Sequence, residues 1–300
     1  MVDLGGHRLH ILCTGTGSPT VVVENGLGDF SSDWILVQTR VEKFTRICTY
    51  DRAGYAWSDP GPLPRTYAQL NLELHDALRK AGEHGPFILV GHSFGGAVVR
   101  AYAAAYPAEV AGMVLVDIVH EDQRIPMGPK AGRVRDFAQG RAIPAPREKM
   151  LPSDQRKLVP ATEAVAEPPN DKLPPEQQRI HSWAGSLPAL EDAENSQREW
   201  SSESMAQMHA RPQKGSLGNM PLIVLTRAEG GYSDLDVPAS ELEAERKRLQ
   251  AQLVELSTRG KQVIVQSGHN MHLEAPDAVA EAIGNVVDPP GVHRRGHLRR

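Results

Sequence analysis

Residues 87–97, FILVGHSFGGA, constrain this chain more than any other stretch. Phe87, Ile88, Leu89 and Val90 predict a buried strand, and residues 97–106 (AVVRAYAAAY) predict a helix. Between them Gly91-His92-Ser93-Phe94-Gly95 fits Gly-x-Ser-x-Gly, a pattern that carries meaning when a strand leads in and a helix leads out. A serine at so sharp a turn sits in strained backbone, and its neighbours two positions away must lack side chains to let the chain pass. The helix starts at the serine, so its free N–H groups and dipole favour negative charge there. Ser93 is the candidate nucleophile.

The rest of the chain repeats that strand–helix rhythm. Residues 2–14 carry Gly5-Gly6 between two short alternating runs and predict a hairpin. Residues 20–24 (TVVVE), 45–50 (TRICTY), 112–119 (GMVLVDIV), 222–226 (LIVLT) and 263–266 (VIVQ) predict strands. Helices are predicted at 31–41 with Ser31 or Ser32 as N-cap, around Leu70 to Leu78 before Gly82, and at 240–256 and 276–287. Alternating strands and helices imply an α/β chain whose mostly parallel, twisted sheet is covered by helices on both faces. Between residues 121 and 218 prolines cluster, charges rise and apolar runs vanish, with helical patches at 176–183 and 191–208. That segment reads as an insertion between two parts of one main domain, residues 1–120 and 219–288, with a basic tail at 289–300.

Length and composition narrow the function. A chain of 300 residues with 40% hydrophobic content can bury a core, and a net charge of −4 gives no sign of a nucleic-acid partner. No run approaches the length of a membrane span. The chain enters strand-like sequence within a few residues, which as written reads as cytoplasmic; a trimmed leader would make it secreted or membrane-tethered. Oligomeric state stays open.

GHSFGG, YDRAGYAWSD, ENGLGD and SGHNMHLEAP resemble, in order and spacing, the landmarks of the α/β-hydrolase superfamily, and more closely its esterase- and lipase-like members with a helical cap. The resemblance covers roughly residues 4–121 and 220–288 and implies residues 121–218 to be the cap. It implies that Ser93 attacks a carbonyl carbon and that His269, straight after Gly268, moves the proton, with His272 as its rival. It places the oxyanion donors at the N–H of Phe94 and of Leu27, in a loop where many relatives have His-Gly and this chain has Asn25-Gly26. Asn25 either meets substrate or braces the loop.

The acid is less settled. Its common slot lies four or five residues past the LIVLT strand, where this chain has Gly230 and Gly231, leaving Glu229, Asp234 and Asp236 as neighbours. A second arrangement, seen in haloalkane dehalogenases among others, points to Asp117, and Asp117 is preferred. Asp51-Arg52 reads as a pin for the loop after its strand, and Glu121-Asp122 as a solvated acidic face. Trp183, Trp200, Met205 and Met208 either line an acyl pocket or hold the cap. His269 and His272 lack further ligands at metal spacing, so neither a metal nor a cofactor is expected.

The resemblance thus implies a serine hydrolase acting on a small-molecule ester or acyl substrate. The same groups would serve amides, lactones or perhydrolysis, and a ligand-binding or signalling protein with little turnover is the competing reading. Serine at the elbow argues against the alkyl-enzyme chemistry of epoxide hydrolases and dehalogenases. The superfamily's sheet order also makes Cys13 and Cys48 candidate cross-strand neighbours, either bonded or as two free thiols, the latter slightly preferred.

Overall fold

A computed structural model describes residues 1–127, 130–133, 135, 166–211, 213–228, 230 and 238–289. In chain order the elements are β1 (Val2–Asp3), β2 (Arg8–Leu9), β3 (Ile11–Thr14), β4 (Val21–Glu24), α1 (Ile35–Val41), β5 (Ile47–Tyr50), α2 (Tyr67–Lys80), β6 (Phe87–His92), α3 (Phe94–Ala105) and β7 (Val110–Val116). Then follow β8 (Arg124–Met127), β9 (Lys130–Arg133), α4 (Pro175–Gly185), α5 (Pro188–His209), β10 (Leu222–Arg227), α6 (Ala239–Leu253), β11 (Gly260–Val265), α7 (Met271–Glu274) and α8 (Pro276–Val287). Seven strands form one sheet in the order β11-β10-β7-β6-β4-β5-β3. Every pairing in it is parallel except β3 with β5. This is the α/β-hydrolase fold.

The apolar runs fold as strands because both faces of the sheet are covered, so alternate residues feed separate cores. Phe87 and Leu89 of β6 join one core, with Leu74 and Leu78 of α2 and Val99 and Tyr102 of α3. Ile88 and Val90 join the other, with Val37 and Val41 of α1 and Val279, Ile283 and Val286 of α8. Burying one such side chain contributes about 1.5–3 kcal/mol. The central strands are therefore a rigid base for the loops at their C-terminal ends.

Four local expectations need correction. The run predicted as one hairpin divides, since β1 pairs with β2 as a separate ribbon whereas β3 joins the sheet edge against β5. Neither Ser31 nor Ser32 caps a helix; Phe30 takes that position before a 3₁₀ turn, and its N–H donates to Asp33 Oδ2 at 2.9 Å. β7 stops at Val116 instead of running on, because Asp117 turns the chain at a φ of 43°. Glu121 is no part of a solvated face, for it is buried against Arg100 in two bonds of 2.6 and 2.8 Å.

Cys13 and Cys48 stand directly opposite in the β3–β5 ladder and form a disulfide across 4.0 Å between Cα atoms. The preference for free thiols is overturned. The sheet order brings β3 beside β5, antiparallel to it, although β4 lies between them in sequence.

Within residues 121–218, α4 and α5 are tied to the main sheet's loops. His181 bonds Asp33 Oδ1 at 2.9 Å, Tyr55 donates to Gln197 at 3.3 Å, and the Arg65 N–H donates to Ser196 at 3.0 Å. Residues 136–165 of that segment and 290–300 of the basic tail lie outside the described residues.

Candidate active site

Ser93 occupies the turn between β6 and α3 with φ 51° and ψ −119°, a conformation that costs a side-chain-bearing residue on the order of 1–3 kcal/mol. The surroundings hold it there. The Ser93 N–H donates to Val116 O at 3.1 Å, and its carbonyl accepts from Val119 at 3.2 Å. A Cβ on Gly91 would lie 2.6 Å from Gly96 Cα, and one on Gly95 would lie 2.4 Å from the carbonyl oxygens of Glu24 and Asn25. The two glycines of the motif thus permit the elbow to pack against its own helix and against the loop after β4.

Ser93 Oγ lies 2.9 Å from His269 Nε2, and His269 Nδ1 donates to Asp117 Oδ2 at 2.7 Å. The carboxylate can only accept, which puts the ring proton on Nδ1 and leaves Nε2 free to accept from the serine. Asp117 is buried at the end of β7 and gathers further donors. Arg227 Nη1 bonds Oδ2, the Arg227 N–H approaches Oδ1 at 3.3 Å, and Arg246 Nη1 reaches Oδ1 at 3.2 Å. Burial alone would raise the Asp117 pKa, but the His269 bond and the Arg227 and Arg246 charges outweigh it and bring it down to about 2. His269 is pushed below the ordinary histidine value. Desolvation is the largest cause, the Asp117 bond opposes it, and the His92 and Arg227 charges add to it. A neutral imidazole beside a serine hydroxyl is the state a general base requires. Glu229, Asp234 and Asp236 lie outside the described residues.

The loop after β4 is fixed from below. Arg52, itself buried, donates to Glu24 Oε1 at 2.7 Å, to Asn25 O at 2.7 Å and to Gly26 O at 2.6 Å. In a trans peptide the C=O and N–H point opposite ways, so holding Gly26 O turns the Leu27 N–H away from Arg52. The Phe94 N–H is the first of α3 and has no partner within the helix. Among the described residues neither N–H donates to another group. Asn25 is 1% exposed and donates its amide to Tyr50 O at 2.7 Å, which braces this loop. Arg52 is thus a pin, but of the loop after β4 instead of the loop after its own strand β5.

His92, beside the serine, is buried between Asp29 Oδ2 at 2.8 Å from Nδ1 and His269 O at 3.0 Å from Nε2. His272 lies away from the serine, 1% exposed and stacked on Trp34 with ring centroids 4.9 Å apart. Burial pushes the His272 pKa down to about 3.

A profile of the alpha/beta hydrolase family matches residues 21–282. The chain belongs to the alpha/beta hydrolase family. Of the curated relatives, a probable transporter efuK of Hormonema carpetanum is 33% identical over 129 residues, 40% of this chain and 18% of the relative. A putative carbamate hydrolase RutD of Shigella dysenteriae is 37% identical over 103 residues, 33% of this chain and 45% of the relative. The matches thus span less than half the length of either relative. The crystal structure of Cfl2 from Burkholderia cenocepacia superposes with a TM-score of 0.70 at 19% identity, over 95% of this chain and 94% of that one. At that identity the likeness is one of fold.

In this alpha/beta hydrolase one apolar cluster includes Phe94, the residue after the serine. Leu27, Phe94, Met205 and Met208 share it with Tyr67 and Leu70, which brings α5 over the elbow. Trp183 belongs to another cluster, with Phe30, Tyr55 and Leu190, and its ring lies 5.5 Å from that of Trp57. Trp200 is half-buried on α5.

Two side-chain groups have metal-ligand proximity among the described residues. Cys13, Cys48 and Glu83 form one, but the disulfide removes its thiolates. Asp29, His92 and His272 form the other, with ligand atoms within 4.8 Å of one another. Both His92 nitrogens are already engaged, so coordination there would break a hydrogen bond.

The acid clamp of Arg227 and Arg246 and the His92–Asp29 pair escape a reading of the sequence. Arg227 ends a strand and Arg246 sits in a charged helix, and neither position carries a pattern. His92 falls on a variable position of Gly-x-Ser-x-Gly.

Proposed function

We propose that this protein is a serine hydrolase that cleaves carboxylic esters of small molecules through an acyl-enzyme on Ser93. The observation that carries this reading is the unbroken line from Ser93 Oγ to His269 to Asp117, at 2.9 and 2.7 Å. His269 Nε2 takes the Ser93 proton as Oγ bonds to the ester carbonyl carbon. The carbonyl oxygen becomes an oxyanion facing the N–H groups of Leu27 and Phe94, one such donor being worth about 2.7–4 kcal/mol. The imidazolium then protonates the departing alkoxide as the C–O bond breaks. Water, activated by the same nitrogen, releases the acid and restores Ser93. Asp117 holds the ring and stabilises its cation without accepting the proton.

The apolar cluster of Leu27, Phe94, Met205 and Met208 favours an apolar acyl group, and residues 121–218 would act as the cap that shapes its site. A carbamate, the substrate class in the name of the Shigella relative, presents a similar carbonyl to the same groups. The Cys13–Cys48 bond supports an oxidising compartment rather than the cytoplasm. Hydrolysis of p-nitrophenyl esters of increasing chain length tests the reading. Ser93→Ala and His269→Ala should each lower turnover on the order of a millionfold while the protein stays folded. Ser93→Ala retaining a tenth of the wild-type rate would overturn it.

A further inference from the structure

His92 has both ring nitrogens against acceptors, and that geometry restricts its protonation. Nε2 faces the carbonyl oxygen of His269 at 3.0 Å, and a carbonyl can only accept. Nδ1 faces Asp29 Oδ2 at 2.8 Å, and the same oxygen accepts the Gly26 N–H at 3.1 Å. With Asp29 ionised, both bonds exist together when the ring carries two protons. Asp29 is held well below the usual carboxylate range, since the His92 bond and charge outweigh the burial that would raise it.

The neighbouring rings fit one charge among three imidazoles. His269 and His272 lie 4.8 and 4.7 Å from the His92 ring, centroid to centroid. Two imidazolium ions at that distance would repel, and His272 offers no competing carboxylate bond. Asp29 approaches from the loop after β4, Asp117 acts from the end of β7, and His269 and His272 face it from the segment around α7. Asp33 and His181 form a second pair beyond Asp29. The Asp29 and Asp117 carboxylates favour a cation at His92, and burial opposes it with the outcome of a raised pKa.

Through its backbone and its two ring bonds His92 joins the three parts of the proposed site. His92 is bonded to Ser93 in the chain, to the loop that carries Leu27 through Asp29, and to the backbone of His269. We propose that His92, as a doubly protonated imidazolium, is a positioning residue that latches the oxyanion loop to the loop bearing His269. This rests on the serine-hydrolase reading for its catalytic consequence, while the protonation state stands on the resting structure alone. Loss of either proton frees one end of the latch, so the alkaline limit of activity belongs to His92. The cation also stands beside His269 and helps keep that ring neutral before the reaction.

The test has two arms on the full chain. Ring-nitrogen NMR of the resting protein, with His92 assigned by its loss in His92→Gln, should show both nitrogens protonated at pH 7 and beyond the ordinary histidine range. A ring with one bare nitrogen at pH 7 would overturn the latch. In the second arm, ester hydrolysis is followed against pH in His92→Gln, which can keep one donor, and His92→Leu, which keeps none. The oxyanion interaction forms in the transition state, so kcat should fall, more in Leu than in Gln, with KM within about twofold. The wild-type alkaline limb should disappear in both. Unchanged kcat with an unchanged alkaline limb would overturn the proposal. The NMR arm does not depend on turnover, so its failure is distinct from a failure of Ser93→Ala to lose activity.

Discussion

Asp117 and Arg227 are bonded through the same carboxylate oxygen that accepts the hydrogen bond from His269 Nδ1, and Arg227 Nη1 lies 3.4 Å from His269 Nδ1. The acid therefore meets the histidine already partnered by a guanidinium. Arg246, which takes the other oxygen at 3.2 Å, is bonded in turn to Glu243 at 2.6 Å. Two cations and two anions, counting Glu243, leave this network close to neutral. A histidine beside it gains less from its acid than one beside a lone carboxylate.

That relationship predicts a pH effect with a definite sign. The Arg227 charge lowers the His269 pKa. Arg227→Gln removes a cation beside the ring, so His269 should bind a proton more readily and the acidic limb of kcat/KM should move to higher pH. A pH–rate profile of this variant checks it. A limb displaced to lower pH would contradict the assignment.

Asp117→Asn should lower turnover about 10⁴-fold, because an amide cannot hold the ring in the required tautomer. Glu229→Gln, Asp234→Asn and Asp236→Asn should each stay within about tenfold of wild type. Steady-state rates on one ester decide between Asp117 and the three alternatives.

Much of the fold is legible in the sequence because parallel strands buried on both faces leave unbroken apolar runs, as TVVVE, FILV and LIVLT do. Ser93 stands out because only a chain with small residues at 91 and 95 can make that turn. The superfamily resemblance points to His269 and, among four candidate acids, to Asp117, and the structure sets these two in one line with the serine. What the sequence leaves hidden is packing between distant elements. Arg246 reaches Asp117 across 129 positions, and His181 reaches Asp33 across 148, with no local pattern to announce either. The Pro-rich stretch likewise suggests few buried contacts, yet α5 buries Leu190, Ala193, Met205 and Met208. Its apolar residues are spaced among polar ones and form no run.

Arg52→Lys should fold and lose rate. A lysine retains a charge for Glu24 but lacks the planar fork that holds Asn25 O and Gly26 O together. The Leu27 N–H then loses its fixed direction, and kcat should fall up to about 10²-fold with KM little altered. Arg52→Met leaves Glu24 buried without its cation, with the Tyr50 hydroxyl still bonded to it, and should cost about 3–5 kcal/mol in a denaturant titration.

The unfolded, unreduced protein should contain no free thiol, since Cys13 and Cys48 are both in the disulfide. Its loss should lower stability by about 3–4 kcal/mol for a closed loop of this length. Thiol counting, followed by urea unfolding of Cys13→Ala/Cys48→Ala, reads both.

The central claim is that Ser93 forms a covalent acyl-enzyme, and an alkyl fluorophosphonate tests it most directly. Intact-mass spectrometry with peptide mapping should find a single adduct per chain on Ser93. The adduct should form within minutes, vanish in Ser93→Ala and form far more slowly in His269→Ala. Ester turnover that proceeds at the wild-type rate with Ser93 unlabelled, or equal labelling of Ser93→Ala, would contradict it.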